Sequence, residues 1–188
     1  MRRLLALFLV LILFSCTQRN PSKNYYYLSE YDALDVGYPY GSIVYKSTKE
    51  YHYQKVVVFS DVLMYKSDSR YILMEQRPNR KLMDKNIKDD LSFWSNYYVE
   101  NKKDTVINVF GDKMSIKHIN NLLTTLSEDN LQRVSDSIVK NNASLKSIFK
   151  NKLNYYLIDK KSDSLYGPMN KDELSKIRAR KGVTITWP

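Results

Sequence analysis

The reactive side chains of this chain are one thiol, two imidazoles and a scatter of carboxylates. Only the thiol, Cys16, sits in a pattern with a defined chemistry. Leu13-Phe14-Ser15-Cys16 has the form of a lipobox, the pattern at which a lipoprotein signal peptidase cuts between Ser15 and Cys16. Phe14 is bulkier than usual there; Leu13, Ser15 and Cys16 match. Ahead of it lie Arg2 and Arg3 and an unbroken apolar run, Leu4 to Phe14, of 11 residues. A bilayer-spanning helix takes about 20 apolar residues, so this run fits the core of a signal peptide and is too short to cross a membrane. The Cys16 thiol is then expected to take a diacylglycerol, and the α-amine freed by cleavage a further acyl chain. One chain binds a bilayer marginally, each buried methylene adding ~0.8 kcal/mol; three hold it for good. The competing reading is an ordinary secretory signal with a free cysteine nearby, but no small-x-small cleavage site competes. Thr17 follows Cys16 where an inner-membrane retention signal has aspartate. The expected site is the periplasmic face of an outer membrane, with a Gram-positive outer leaflet as the alternative.

The other reactive residues form no such pattern. His52 lies between two tyrosines and His118 beside Lys117, without metal-ligand spacing, so no metal is expected. No Gly-x-Ser-x-Gly elbow exposes a serine, and no glycine-rich phosphate loop is present, so no catalytic residue and no cofactor is assigned. Wall-cutting glycosidases need two carboxylates roughly 5–10 Å apart. Asp89-Asp90 and Asp172-Glu173 are adjacent pairs on predicted helices, where neighbours point in different directions. Glu75, on a predicted strand, is the more interesting carboxylate. Sixteen tyrosines offer rings for stacking on sugars, although tyrosine also suits half-buried strands. Asp104-Thr105-Val106, Asp136-Ser137-Ile138 and Asp163-Ser164-Leu165 match an Asp-Ser/Thr-apolar sequon, making Thr105, Ser137 and Ser164 candidate O-glycosylation sites. The net charge of +10 falls to +8 once Arg2 and Arg3 leave with residues 1–15. From Lys150 onward nine basic residues face four acidic ones. Outside the cytoplasm the acidic partners on offer are lipid headgroups, lipopolysaccharide and wall polymers, not nucleic acid. That excess is able to orient the domain, or is simply a solvated face.

The elements that must position these groups read as one α+β domain over residues 25–188, joined to Cys16 by a polar tether, residues 16–24. With a single cysteine the domain has no disulfide, so its stability rests on burial. Tyr25 to Leu28 reads as a strand and residues 29–41 as a loop. Strands follow around Ile43 to Tyr45, Tyr53 to Phe59, Val62 to Tyr65 and Arg70 to Gln76, an antiparallel meander of about five strands closed by the C-terminal hairpin. Met83, Ile87, Leu91, Trp94 and Tyr98 mark one stripe of a helix from about Arg80 to Glu100. A short strand is expected over Thr105 to Phe110. Helical stripes follow at Ile116, Ile119, Leu123 and Leu126, then at Leu131, Val134 and Ile138 (capped by Ser127), then at Leu145, Ile148 and Phe149. The helices are expected on one face of the sheet.

Near the end, Tyr155-Tyr-Leu-Ile158 is apolar on both alternating faces and reads as a strand covered on both sides. A polar loop, Asp159 to Asp163, turns it back into Ser164 to Tyr166. Gly167-Pro168 is expected to stop the pairing, and Asn170 with Glu173 forms a capping box for a final helix ending near Gly182. Tyr155-x-x-Ile158-Asp159-Lys160-Lys161, then Tyr166-Gly167-Pro168 and an acidic helix start, resembles the C-terminal signature of a family of small bacterial lipoproteins of unknown function. Tyr71-Ile72-Leu73-Met74-Glu75-Gln76-Arg77-Pro78 is similar to a second pattern of that family. Together they cover about a quarter of the mature chain. The resemblance implies a fold and an address, and no activity. A weaker likeness is to the opening strands of bacterial GYF-like modules, which bind proline-rich or partner segments; the chain ends before most of such a module. The reading that follows is a non-enzymatic, lipid-anchored envelope domain binding an envelope protein or wall polymer. The alternatives are a wall-acting hydrolase built on carboxylates such as Glu75, or a membrane-held inhibitor or immunity protein.

Overall fold

Two stretches that are apolar on both alternating faces become the central strands of the molecule. The computed structural model describes residues 24–36, 40–46, 53–110, 112–124 and 128–187. The expected signal segment with Ser15 and Cys16, nearly all of the expected tether, His52, Leu126 and Ser127 lie outside the described residues. Strand β5 (Tyr71–Gln76) pairs antiparallel with β8 (Asn154–Asp159), from Tyr71 opposite Asp159 to Gln76 opposite Asn154. β4 (Val62–Ser67) flanks β5 and β9 (Ser164–Met169) flanks β8, giving the order β4-β5-β8-β9. All six residues of β8 are buried, as a strand covered on both faces requires.

The two-residue period sorts the side chains. Ile72, Met74, Tyr156 and Ile158 point to one side, where they meet Tyr25, Ile43, Val58 and Val62. Tyr71, Leu73, Tyr155 and Leu157 point to the other, onto Leu174 and Ile177 of the last helix and Val183 and Ile185 beyond it. Each aliphatic side chain removed from water in this way contributes about 1.5–3 kcal/mol.

The first of those sides is covered by a second antiparallel sheet, β1 (Tyr25–Leu28), β2 (Ser42–Lys46) and β3 (Tyr53–Val58) in that order. The strands expected in one meander are thus divided between two stacked sheets. A single wide sheet would have left the inner positions of β1 to β3 or one face of β5 and β8 in water, and stacking buries both. The outer face of the three-stranded sheet is covered in turn by α1 (Glu30–Val36), through Leu28, Ala33 and Val44. This helix falls where a loop was expected. Its signal is Ser29-x-x-Asp32: the Ser29 hydroxyl accepts the Asp32 amide at 3.2 Å and donates to its carboxylate at 2.6 Å.

Between β5 and β8 the chain inserts a helical layer with its own core. It comprises α2 (Arg80–Asn101), the hairpin β6 (Val106–Val109) and β7 (Asp112–Ser115), then α3 (Ile116–Thr124), α4 (Glu128–Asn141) and α5 (Ala143–Ile148). On α2 the expected stripe buries Met83, Ile87 and Leu91, with Trp94 and Tyr98 half-buried. Met83, Ile87, Leu91 and Trp94 pack with Val109, Ile119, Ile138, Val139, Leu145 and Ile148. Asn79 caps α2, accepting the Leu82 amide at 3.0 Å, and Asn142 caps α5, accepting the Leu145 amide at 3.0 Å.

The C-terminal hairpin differs from expectation at one point. Gly167-Pro168 does not end the pairing; β9 runs on to Met169, opposite Tyr155, through a register irregularity between Tyr155 and Leu157. β9 is an edge strand, where a proline without an amide proton forfeits no ladder bond, and the bulge turns it outward. Gly167 has φ +126°, and a Cβ there would lie 2.6 Å from the Tyr155 carbonyl oxygen. The helix that follows, α6 (Lys171–Lys181), has the expected capping box. Asn170 Oδ1 accepts the Glu173 amide at 2.9 Å, Glu173 Oε2 accepts the Asn170 amide at 2.8 Å, and Gly182 closes the helix at φ +65°. The protein is an α+β domain in which α6 lies on one face of the four-stranded sheet and the three-stranded sheet on the other.

Candidate functional site

Where β5 ends, Arg77 and Pro78 lead into α2, and residues 81, 85 and 88 are spaced to share one face of that helix. Lys81, Lys85 and Lys88 occupy that face, and with Asp84, Asp89, Leu82 and Asn79 they line one wall of a cleft of about 650 Å³. Gln132 of α4 and Tyr40, just before β2, complete it. Its charges are held in place. Lys85 Nζ donates to Asp89 at 2.6 Å, and Lys88 donates to the Gln132 side-chain carbonyl. Asp84 accepts from Arg80 Nε at 3.2 Å and from the Ser135 hydroxyl at 3.1 Å. Tyr40 is 42% exposed where it lines the cleft. Three ammonium groups against two carboxylates, beside an aromatic ring, suit a polar ligand carrying negative charge or a sugar face. Of these residues the lysine spacing is visible in the sequence. Tyr40 and Gln132 reach the cleft only through the fold.

Glu75 is half-buried on β5 directly opposite Tyr155 of β8. Burial, and secondarily the Glu75 charge and hydrogen bond, push the Tyr155 hydroxyl above its ordinary pKa. The partner of Glu75 is therefore a tyrosine in the packed sheet. Asp89 and Asp90 diverge as adjacent helical residues must: Asp89 turns to Lys85, while Asp90, whose pKa is raised by burial, hydrogen-bonds Trp94. Asp172 and Glu173 sit in the first turn of α6, Glu173 in its cap. Among the described residues no group of three or more His, Cys, Asp or Glu is arranged to hold a metal ion. His118 is exposed on α3.

The tyrosines divide by location. Tyr25, Tyr71, Tyr155 and Tyr156 are core residues. Tyr25 and Tyr45 meet edge to face at 5.3 Å, and Tyr27 and Tyr65 at 5.5 Å tie the two sheets together. Only Tyr31 and Tyr40 are strongly exposed among the described residues. The three sequons lie on three kinds of backbone. Thr105 is exposed in the irregular segment before β6, Ser137 is exposed on α4 and accepts from Asn141 Nδ2 at 3.1 Å, and Ser164 opens β9 half-buried. Asp104 beside Thr105 is held below the ordinary carboxyl range by the Lys117 amide and the Ser115 hydroxyl.

A second polar cluster lies inside the molecule, next to the cleft end of β5. Gln76 and Asn154 are wholly buried and Tyr156 is 3% exposed. Gln76 Oε1 accepts from Asn154 Nδ2 and from the Tyr156 hydroxyl, each at 3.0 Å. Gln76 Nε2 donates to the Phe59 carbonyl at 2.8 Å, and Asn154 Nδ2 to the Ile148 carbonyl at 2.7 Å. This cluster is a buried joint between the sheets and α5. No family model, no curated protein and no solved structure matches the chain.

Proposed function

We propose that this chain is a lipid-anchored envelope protein with no catalytic role, whose domain binds another envelope component in the cleft beside α2. The observation that carries the reading is Leu13-Phe14-Ser15-Cys16 behind two arginines and a short apolar run. The outer membrane, periplasmic side, is the proposed address. Two features of the fold are consistent with this. The first strand begins at Tyr25, soon after the cysteine, so the folded body follows the anchor closely. The cleft opens at the Gln76 end of β5, and β1 receives the tether at the other end of the sheets, where Tyr25 hydrogen-bonds Asp163. A ligand in the cleft is thus met on the side away from the bilayer. Its mixture of ammonium groups, carboxylates and an exposed tyrosine fits a wall polymer or a charged protein surface.

Labelled palmitate fed to cells making the wild type and Cys16→Ser tests the anchor. The wild type takes up label and partitions with membranes; the variant does neither. A wild type without label ends the reading. An intact mass on the same material also reports whether a glycan is attached. Thr105, exposed and outside any helix or strand, is the acceptor of choice among the three sequons.

A further inference from the structure

We propose that the turn rim of the four-stranded sheet is a membrane-facing surface that engages lipid phosphate groups of the bilayer holding the anchor. The inference rests on the lipid-anchor reading and adds an orientation and a ligand to it.

Placement comes first. The β4–β5 and β8–β9 turns lie side by side: the Lys160 amide donates to the Arg70 carbonyl at 2.8 Å, and Lys160 Nζ to the Ser67 hydroxyl at 3.0 Å. The Tyr25 hydroxyl donates to Asp163 at 3.0 Å, so the point at which the tether joins the domain is fastened to this rim. Asn24 lies eight positions after Cys16, a span that reaches about 26–29 Å when fully extended. The opposite end of β5, with the cleft, is ~20 Å farther along the strand. Of the two ends, the rim is the one where the tether joins the domain.

Charge comes second. Lys66, Arg70, Lys160 and Lys161 stand on or beside the two turns. The fold adds Lys181 from the end of α6, whose carbonyl accepts the Tyr71 hydroxyl at 3.0 Å. The nearby carboxylates are engaged within the protein. Asp68 Oδ1 accepts the Arg70 and Tyr71 amides at 2.7 and 2.6 Å. Asp159 is 3% exposed and bound to Arg70 at 3.3 Å, and Asp163 receives Tyr25. Lys66, Lys160 and Lys181, like Asp68 and Asp163, are held by neutral groups that leave their charge uncancelled, so five cations against three carboxylates leave the rim an excess of two positive charges. Lys66 donates to the Thr186 carbonyl at 2.9 Å, Lys160 to Ser67 and the Asp68 carbonyl, and Lys181 lies 4.8 Å above the Tyr166 ring. Lys161 is exposed. Leu165, 42% exposed on the adjoining edge strand, adds an apolar contact of the kind interfacial surfaces use. These cations come from three separate parts of the sequence, and only the folded chain puts them beside the tether.

The mature protein, its acylation read by intact mass, is reconstituted in vesicles of phosphatidylcholine alone or mixed with phosphatidylglycerol. Its lysines are then labelled with an amine-reactive reagent and read by peptide mass spectrometry. Lys161 labelling is expected to fall several-fold on the anionic vesicles relative to the neutral ones and to recover in high salt, while Lys81 in the cleft is unchanged. Lys161→Gln, which alters no side-chain hydrogen bond described above, is expected to restore labelling of Lys160 by about fivefold, the factor that one basic contact with an anionic surface supplies. An unacylated Cys16 sinks the anchor reading and the orientation with it. On an acylated protein, equal labelling of Lys161 on both kinds of vesicle, or equal loss at Lys81 and Lys161, overturns the rim alone.

Discussion

The two ends of strand β5 handle polar groups in opposite ways. At its C-terminal end Gln76 is wholly buried, and its neutral amide is shared among Asn154, Tyr156 and the Phe59 carbonyl. At its N-terminal end Arg70 and its neighbours are charged and open to water, and their contacts are spread over turns and the C-terminal tail. A dry polar group without a partner costs about 1–3 kcal/mol, whereas an exposed ion pair contributes ~0–1 kcal/mol. The first end therefore sets how the layers fit together, and the second is available for contact with something else.

Gln76→Leu is the sharpest way to break this contrast. It leaves the Tyr156 hydroxyl and the Phe59 carbonyl dry, at about 1–3 kcal/mol each. The urea midpoint is expected to fall far more than for Lys161→Ala at the other end; equal shifts would dissolve the distinction. Gly167→Ala comes next. Its Cβ would meet the Tyr155 carbonyl oxygen at 2.6 Å and the Tyr156 ring at 2.7 Å, at a φ of +126°. Forcing that backbone costs about 1–3 kcal/mol, read as a lowered midpoint with an unchanged denaturant slope. Asn170→Ala removes one side of the α6 capping box and is expected to cost ~1 kcal/mol, seen in thermal unfolding.

The smallest effect concerns pH. The Arg70 guanidinium, more than any other group, holds the Asp159 carboxyl below its ordinary value of 3.8. A lowered folded-state pKa means that the pair's stabilisation is complete above about pH 4 and drains away as pH falls toward the folded value. Arg70→Gln is expected to flatten that acid limb slightly in urea titrations at successive pH values. An acid limb identical to wild type would show that the rim contributes nothing there.

What could be read in the sequence follows the range of the interactions. The capping box at Asn170 and Glu173, the stripe Met83-Ile87-Leu91 and the doubly covered strand at Tyr155 to Ile158 depend on neighbours within four residues, and all three are present. The helix after Ser29 was legible too, from the serine and Asp32, but Gly37, Pro39 and Gly41 nearby favoured a loop reading. Division of the strands into two sheets was not legible. Periodicity says that a strand has two apolar faces and leaves open whether a helix or another sheet covers each. The cleft mixes both cases: three lysines on one helical face can be counted, and Tyr40 and Gln132 cannot be assigned to them before the layers are stacked. Gly167-Pro168 was read as a stop because proline lacks a donor, and an edge strand makes that lack harmless.

The Tyr156 hydroxyl and Gln76 are 80 positions apart, and the Tyr25 hydroxyl and Asp163 are 138 apart. A chain supplied amino end first, from a ribosome or through a membrane channel, has β5 ready while one of its flanks stays bare until nearly the last helix has emerged. Closing so distant a pairing is slow, because the intervening loop must first be gathered in. During that wait the Tyr71–Gln76 ribbon is a sticky, half-dressed hem, and a holdase that shields it would have its longest opportunity there.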